Sequence, residues 1–262
     1  MTIKAAFFDI DGTLVSFETH KIQPSTIEAI KELKRKDIKI FISTGRPKSF
    51  ITNLKDIEPF IDGYISFNGA LAQIGEETIF MKELPKKDIK KMIADATLHN
   101  YTLAICGKDK VAIHNYSNIF TELFVKGLGV DSVNIKDPIE PLLNGAVLQM
   151  SPFFSEKEEQ RIMPTLTGCE ASRWHPLFAD VSPIGINKGL TLPKVAKHLG
   201  IGIDECIAFG DGGNDRDMLK VAGIGVAMGN ANDKVKEHAN YVTTSVDDNG
   251  IANALKHFEL ID

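Results

Sequence analysis

The sequence predicts an α/β protein: a doubly wound parallel, Rossmann-like core sheet with an inserted α+β domain. Three observations carry this. Short apolar runs alternate with helical patterns in the first third of the chain, the same rhythm returns in the last third, and the middle has a different texture. With 262 residues the chain is long enough for two domains that each bury a core.

Taken in order, residues 3–10 read as a buried strand that ends in Asp9-Ile10-Asp11-Gly12. Pro24 and Ser25 open a helix whose Ile27, Ile30 and Leu33 share one face, with Glu28 three residues after Ser25 as in a capping box. Residues 39–43 read as a second strand, 47–57 as a second helix and 63–67 as a third strand. In the last third, 188–199 is helical, with Pro193 near its start or kinking it. Strands at 207–209, 224–228 and 241–244 follow, with a helix over 215–221 and a closing amphipathic helix over 250–258.

The middle holds a basic amphipathic stretch (86–96), alternating segments (111–114 and 146–150) and an acidic helix near 156–161. It reads as an α+β insertion over 84–183 between the core halves 1–83 and 184–262, with Pro85 and Pro183 marking the hinges. The run Lys86-Lys87-Asp88-Ile89-Lys90-Lys91 reads as a solvated helix face.

Composition is that of an ordinary globular chain, 43% hydrophobic and 25% charged. A net charge of −5 argues against a nucleic-acid partner, since binders of the phosphate backbone carry a basic face. Small phosphorylated substrates need only local positive charge. Cys106, Cys169 and Cys206 are widely spaced without a CxxC pair, as expected of buried thiols in a reducing compartment. The first apolar run is too short for a signal peptide, and nothing approaches the roughly 20 apolar residues of a membrane span. The expectation is a cytoplasmic protein with no membrane partner.

Four segments carry chemistry. Phe7-Phe8-Asp9-Ile10-Asp11-Gly12-Thr13 delivers two carboxylates at the carboxyl end of an apolar strand, where open α/β sheets place their ligands. Phe41-Ile42-Ser43-Thr44-Gly45-Arg46 ends a second strand in hydroxyls, a glycine and an arginine. Such an end suits phosphate oxygens, and equally a helix N-cap before Pro47. Lys188 stands at a helix start in Gly185-Ile186-Asn187-Lys188-Gly189. Ala208-Phe209-Gly210-Asp211-Gly212-Gly213-Asn214-Asp215 brings acidic groups into a glycine-rich loop. A calcium loop starting at Asp211 fails, because its twelfth position is Ala222 where a bidentate Glu is needed. No GxxxxGK[ST] phosphate loop occurs either.

In this order the four segments resemble the motifs of the haloacid dehalogenase superfamily. Within it the chain is similar to the Cof-type sugar-phosphate phosphatases, bacterial hexose-phosphate phosphatases above all, whose α+β cap lies between the second and third motifs. The resemblance spans the chain, including Ile65-Ser66-Phe67-Asn68-Gly69-Ala70. It implies a Mg²⁺-dependent phosphatase acting on small phosphorylated metabolites. Mg²⁺ would be held by the Asp9 side chain, the Asp11 backbone carbonyl and Asp211, with Asp215 binding weakly or through water and Asn214 orienting Asp211 or Lys188. Asp9 would be the nucleophile and Asp11 the general acid and base. Thr44, the Gly45 N–H and Lys188 would surround the phosphoryl group, and Thr13 would fix the loop and Asp11. Arg46 would reach the leaving group or the loop carboxylates.

The cap would choose the substrate. Arg173, Trp174 and Asp180 fall late in it, where Trp174 either faces a sugar ring or fills the cap's own core. Asn68-Gly69 is either a tight turn or part of the substrate entrance. Two alternatives use the same scaffold: a phosphomutase, which would use Asp9 and Asp11 alike but return the phosphate to the sugar, and a non-catalytic sugar-phosphate-binding module. Degenerate members of the latter kind should lose the nucleophile, the acid or the lysine, whereas Asp9, Asp11, Lys188 and Asp211 are all present here. Phosphonate hydrolysis is a further option.

Overall fold

A computed structural model describes residues 2–126 and 137–262, without the side chains of Val125 and Trp174. The chain forms two compact units, one of Met1–Gly45, Asn53–Met81 and Asn187–Asp262, the other of Arg46–Thr52 and Lys82–Ile186. In chain order the strands are β1 (Ala5–Phe8), β2 (Lys39–Ser43), β3 (Gly63–Ser66), β4 (Leu71–Ile74) and β5 (Glu77–Met81) in the first unit. The second unit holds β6 (Leu103–Gly107), β7 (Val111–His114), β8 (Val147–Pro152), β9 (Cys169–His175) and β10 (Phe178–Pro183). The chain then returns to the first with β11 (Cys206–Gly210), β12 (Ile224–Ala227) and β13 (Tyr241–Val242).

Among the described residues, the first unit's sheet runs β13-β12-β11-β1-β2-β3-β4-β5. From β13 to β3 every pairing is parallel. A parallel strand is covered on both faces, and all four residues of β1 are buried. Alternation sends Phe7 to one face, stacked on Phe41 at 4.9 Å, and Phe8 to the other, stacked on Phe209 at 4.9 Å. Phe8 pairs with Phe209 in register, so the loops opened by Asp9 and Asp211 leave the sheet side by side.

Several sequence expectations change. Residues 47–57 do not form a helix: only Lys48–Phe50 makes a single 3₁₀ turn, and Ile51 is extended. Phe50 is buried with its ring 5.7 Å from Phe124, both in the second unit, and helix propensity through Ile51-Thr52-Asn53 is too weak to resist that pull. Ser25 does not cap its helix. Helix Pro24–Arg35 opens at Pro24 as read, but its cap position is Gln23 with no side-chain cap, and Ser25, inside the first turn, donates to Asn249 at 2.5 Å. The antiparallel hairpin β4–β5, which extends the sheet beyond β3, was not anticipated from the sequence. Pro193 sits at the sixth position of helix Lys188–His198, inside it rather than at its start.

The second unit's sheet, in the order β7-β6-β8-β10-β9, is antiparallel throughout. Helices Lys86–His99 and Glu156–Ile162 contribute Ile89, Met92 and Ile162 to a core with Leu103, Ile105, Met150 and Val181. Arg161 ties the two helices by a bidentate pair to Asp95 at 2.5 and 2.8 Å. The expected solvated charge run is only partly so. Its lysines are exposed, but Asp88 is buried and accepts the Gly168 N–H at 2.8 Å. No helix among the described residues is long and apolar enough to cross a membrane.

Candidate active site

The loops after β1 and β11 and the start of helix Lys188–His198 place four of the anticipated side chains within reach of one another. Asp9 is the first residue past β1, and its N–H is held by the Phe209 carbonyl at 3.0 Å. Lys188 is fully buried. Its Nζ donates to Asp9 Oδ1 at 2.5 Å and to Asp215 Oδ1 at 2.6 Å. Asp215, also fully buried, accepts the N–H groups of Asp211 and Gly212 on its other oxygen, at 3.1 and 2.8 Å. One carboxylate thus shapes the glycine-rich loop and anchors the lysine.

Asp9, Asp211 and Asp215 each offer an oxygen within 4.8 Å of the others, a hard-oxygen set suited to a cation such as Mg²⁺. The Asp11 side chain is outside that set. Thr13 donates to Asp211 at 2.8 Å, so it fixes the far carboxylate rather than Asp11. Gly12 has φ +84, and a β-carbon there would collide with the Asp211 carboxylate and the Phe17 ring. Asn230, in the loop after β12, was missed by sequence reading. Its amide donates to the Gly12 carbonyl at 2.8 Å and approaches Asp211 at 3.4 Å, tying the two acidic loops together. The one sequence signal for it is Gly229-Asn230 following an apolar strand.

The electrostatics are those of crowded acids. Burial first, then the Asp215 charge, push Asp9 well above the usual carboxylate range, and Lys188 offsets part of this. Burial and then Asp215 raise Asp211 to about 7 from an ordinary 3.8, against the Thr13 hydrogen bond. For Lys188 burial alone would lower the ammonium, but Asp215 and Asp9 outweigh it and hold it above its ordinary value. A raised carboxyl binds protons in the folded state that the unfolded chain has already released. Metal-free stability is therefore expected to fall as pH rises from about 4 to about 7. Asp211→Asn removes that penalty, so its metal-free thermal midpoint at pH 7 is expected to exceed the parent's by several degrees, at about 2–4 °C per kcal/mol. Differential scanning fluorimetry in EDTA reads this; a lower midpoint at pH 7 than in the parent counts against it.

Thr44 and Gly45 follow β2, with the Thr44 N–H on the Ile65 carbonyl at 2.8 Å. The Asn68 amide lies against Gly45, and a β-carbon at 45 would stand 2.9 Å from Asn68 Oδ1. Asn214 was expected to orient Asp211 or Lys188; it donates instead to Asn68 Oδ1 at 2.9 Å. Arg46, buried, belongs to the second unit and donates to the Phe50 carbonyl at 3.1 Å.

Within the second unit, Arg173 is an internal clamp. It donates to Glu159 at 2.7 Å and to the carbonyls of Phe154, His175, Pro176 and Phe178 at 3.0–3.2 Å. Those commitments hold the β9–β10 turn. The Trp174 side chain lies outside the described residues. Asp180 is buried and accepts Gln149 Nε2 at 3.0 Å and Ser151 Oγ at 2.8 Å, two partners that the sequence did not single out.

Known proteins show the same frame. The model of the haloacid dehalogenase-like hydrolases matches residues 6–255. A solved haloacid dehalogenase subclass IIB sugar phosphatase is 43% identical, covers 98% of this chain and 100% of its own, and superposes with a TM-score of 0.89. A haloalkanoate-superfamily phosphatase from Bacteroides thetaiotaomicron is 38% identical, covers 99% and 96%, and has a TM-score of 0.85. A 5-amino-6-(5-phospho-D-ribitylamino)uracil phosphatase of Bacillus subtilis, YcsE, is 30% identical over 98% of this chain and 96% of its own length. A family model running from the strand before Asp9 into the last helix, together with these full-length similarities, shows that the chain belongs to the haloacid dehalogenase-like hydrolases.

Proposed function

We propose that the chain is a Mg²⁺-dependent phosphatase of small phosphorylated metabolites, hexose phosphates first among them, with Asp9 as nucleophile and Asp11 as general acid and base. The observation that carries this reading is the buried Lys188 ammonium, shared by Asp9 and Asp215 beside Asp211. A carboxylate attacking a phosphate dianion needs countercharge at the point of attack.

Asp9 Oδ attacks phosphorus as the ester P–O bond breaks, and Asp11 gives its proton to the leaving oxygen. Asp11 then takes a proton from water, whose oxygen attacks the phosphoryl group. The Asp9–phosphorus bond breaks, and phosphate leaves with Asp9 restored. Lys188 steadies Asp9 and the phosphoryl charge together, while Thr44 and the Gly45 N–H hold its oxygens. Asp9, Asp211 and Asp215 side chains with the Asp11 carbonyl would hold Mg²⁺, which supplies countercharge for the dianion. Choice of substrate falls to the second unit, through Trp174 and Asp180. Trp174→Ala is expected to reorder the preferred sugar phosphates more than it slows p-nitrophenyl phosphate. Equal losses on both would make Trp174 structural.

The sugar preference is supported by the likeness to the subclass IIB sugar phosphatase. The likeness to YcsE favours a phosphorylated ribitylamino-pyrimidine as second reading. The test is inorganic phosphate release from hexose phosphates, that pyrimidine, nucleotides, pyridoxal phosphate and flavin mononucleotide, with Mg²⁺ and with EDTA. Metal-dependent release led by hexose phosphates is expected. Interconversion of sugar phosphates without release would identify a mutase, and binding without turnover a sensing module.

A further inference from the structure

Between β3 and β4 the backbone takes an unusual path. Phe67, Asn68 and Gly69 have consecutive φ values of +52, +53 and +104. An aromatic residue at positive φ is a genuine outlier, and such strain persists only where surrounding structure over-determines it. Here the other motif segments do so. The Phe67 ring is fully buried, and the Asn68 N–H donates to the Thr44 carbonyl at 3.1 Å. The Gly69 carbonyl accepts Thr191 Oγ1 at 2.7 Å, and the Gly69 α-carbon abuts the Asn187 carbonyl too closely for a β-carbon.

The path has one local product: it lays the Asn68 amide on Gly45, with Oδ1 and Nδ2 2.9 and 3.1 Å from where a β-carbon would stand. Asn214 Nδ2 donates to Asn68 Oδ1 at 2.9 Å, which fixes the amide's sense. Asn68 Nδ2 is left with no acceptor among the described residues. A neutral donor beside Gly45 adds attraction for a phosphate oxygen where carboxylates dominate, and it does not compete for a cation.

We propose that Asn68 is a phosphate-positioning residue, donating from Nδ2 to a phosphoryl oxygen held over Gly45, with Asn214 locking the amide in that sense. The inference rests on the phosphoryl-transfer reading above. It accounts for the strain at Phe67 and for the Asn214–Asn68 bond, neither of which the nucleophile, acid or metal set requires.

The test uses the full chain with Mg²⁺, p-nitrophenyl phosphate as substrate and inorganic phosphate as competitor. Asn68→Gly keeps the left-handed backbone accessible and removes the donor. Asn68→Asp keeps the shape and turns the donor into an acceptor. The glycine variant is expected to raise the phosphate inhibition constant about tenfold and to lower kcat/KM by about 10–100-fold. The aspartate variant should lose about 100–1000-fold in kcat/KM, with a thermal midpoint near the parent's. A glycine variant with parental inhibition constant and kcat/KM overturns the proposal, since it would show that position 68 supplies backbone conformation only. Should that variant melt early, the aspartate variant decides: a parental inhibition constant overturns the donor role and a raised one supports it. A parent protein that neither hydrolyses nor binds phosphate overturns the phosphatase reading itself. Active parent and unchanged variants remove the Asn68 role alone.

Discussion

Asp9→Asn is expected to cut phosphate release by about four orders of magnitude or more, because in the proposed mechanism the Asp9 carboxylate forms the covalent phosphoryl bond and an amide is a far poorer nucleophile. The fold should survive. Asn is nearly isosteric, its Oδ1 can still accept from Lys188, and the Asp9 backbone remains held by Phe209. Burial and the Asp215, Asp211 and Asp11 charges make the Asp9 carboxylate costly to ionise, so a neutral amide should leave the metal-free midpoint at or above the parent's. The paired measurement is single-turnover phosphate release and thermal melting in EDTA. Substantial residual turnover in protein free of deamidated material would remove Asp9 from the nucleophile's role. A large loss of midpoint would make the inactivation a folding effect.

Lys188→Met carries the second large effect, and here stability and chemistry fall together. Lys188 is fully buried, and both of its carboxylate partners are almost completely buried. Removing one partner of a buried ionic cluster leaves uncompensated charge and costs about 3–5 kcal/mol. Turnover should fall by about 10²–10³ for loss of the cation at the developing phosphoryl charge. Sign and pH separate this from a packing defect. With the ammonium gone, the buried Asp9 carboxylate loses the charge that lowers its proton affinity and is stabilised by protonation, so the deficit against the parent should be largest near pH 7 and shrink toward pH 4. Melting of both proteins across that range checks it. A deficit of constant size would point to lost packing of the lysine stem, and a Met variant as stable and active as the parent would dissolve the assignment.

The comparison of sequence with structure turns on particular residues. β2 and β7 occupy the residues anticipated for them, 39–43 and 111–114, because short apolar runs bounded by loop residues leave little choice of register. Asp9, Asp211 and Lys188 were legible as candidates because apolar strands and a helix start deliver them in a recognisable order. Where sequence reading failed, a distant partner won. Residues 47–57 have a plausible helical pattern, but burial of Phe50 against Phe124 decided otherwise. Asp88 sits in what looks like a solvated charge run, yet Gly168, 80 residues away, claims it. Arg173 reads from the sequence as a substrate contact, and what the sequence does not show is that four carbonyls and Glu159 within its own unit hold it.

By itself the sequence determined the alternation of strand and helix, the inserted α+β segment and the chemical types at the strand ends, because local periodicity and turn chemistry are encoded within a few residues. Only the tertiary structure decided which of those groups meet: Thr13 with Asp211, Asn214 with Asn68, Asn230 across two loops, and Lys188 between Asp9 and Asp215. Hydrogen bonds and charge pairs act over a few ångströms in space and are indifferent to separation along the chain. Pairs 19 to 218 residues apart leave no local pattern from which they could be read.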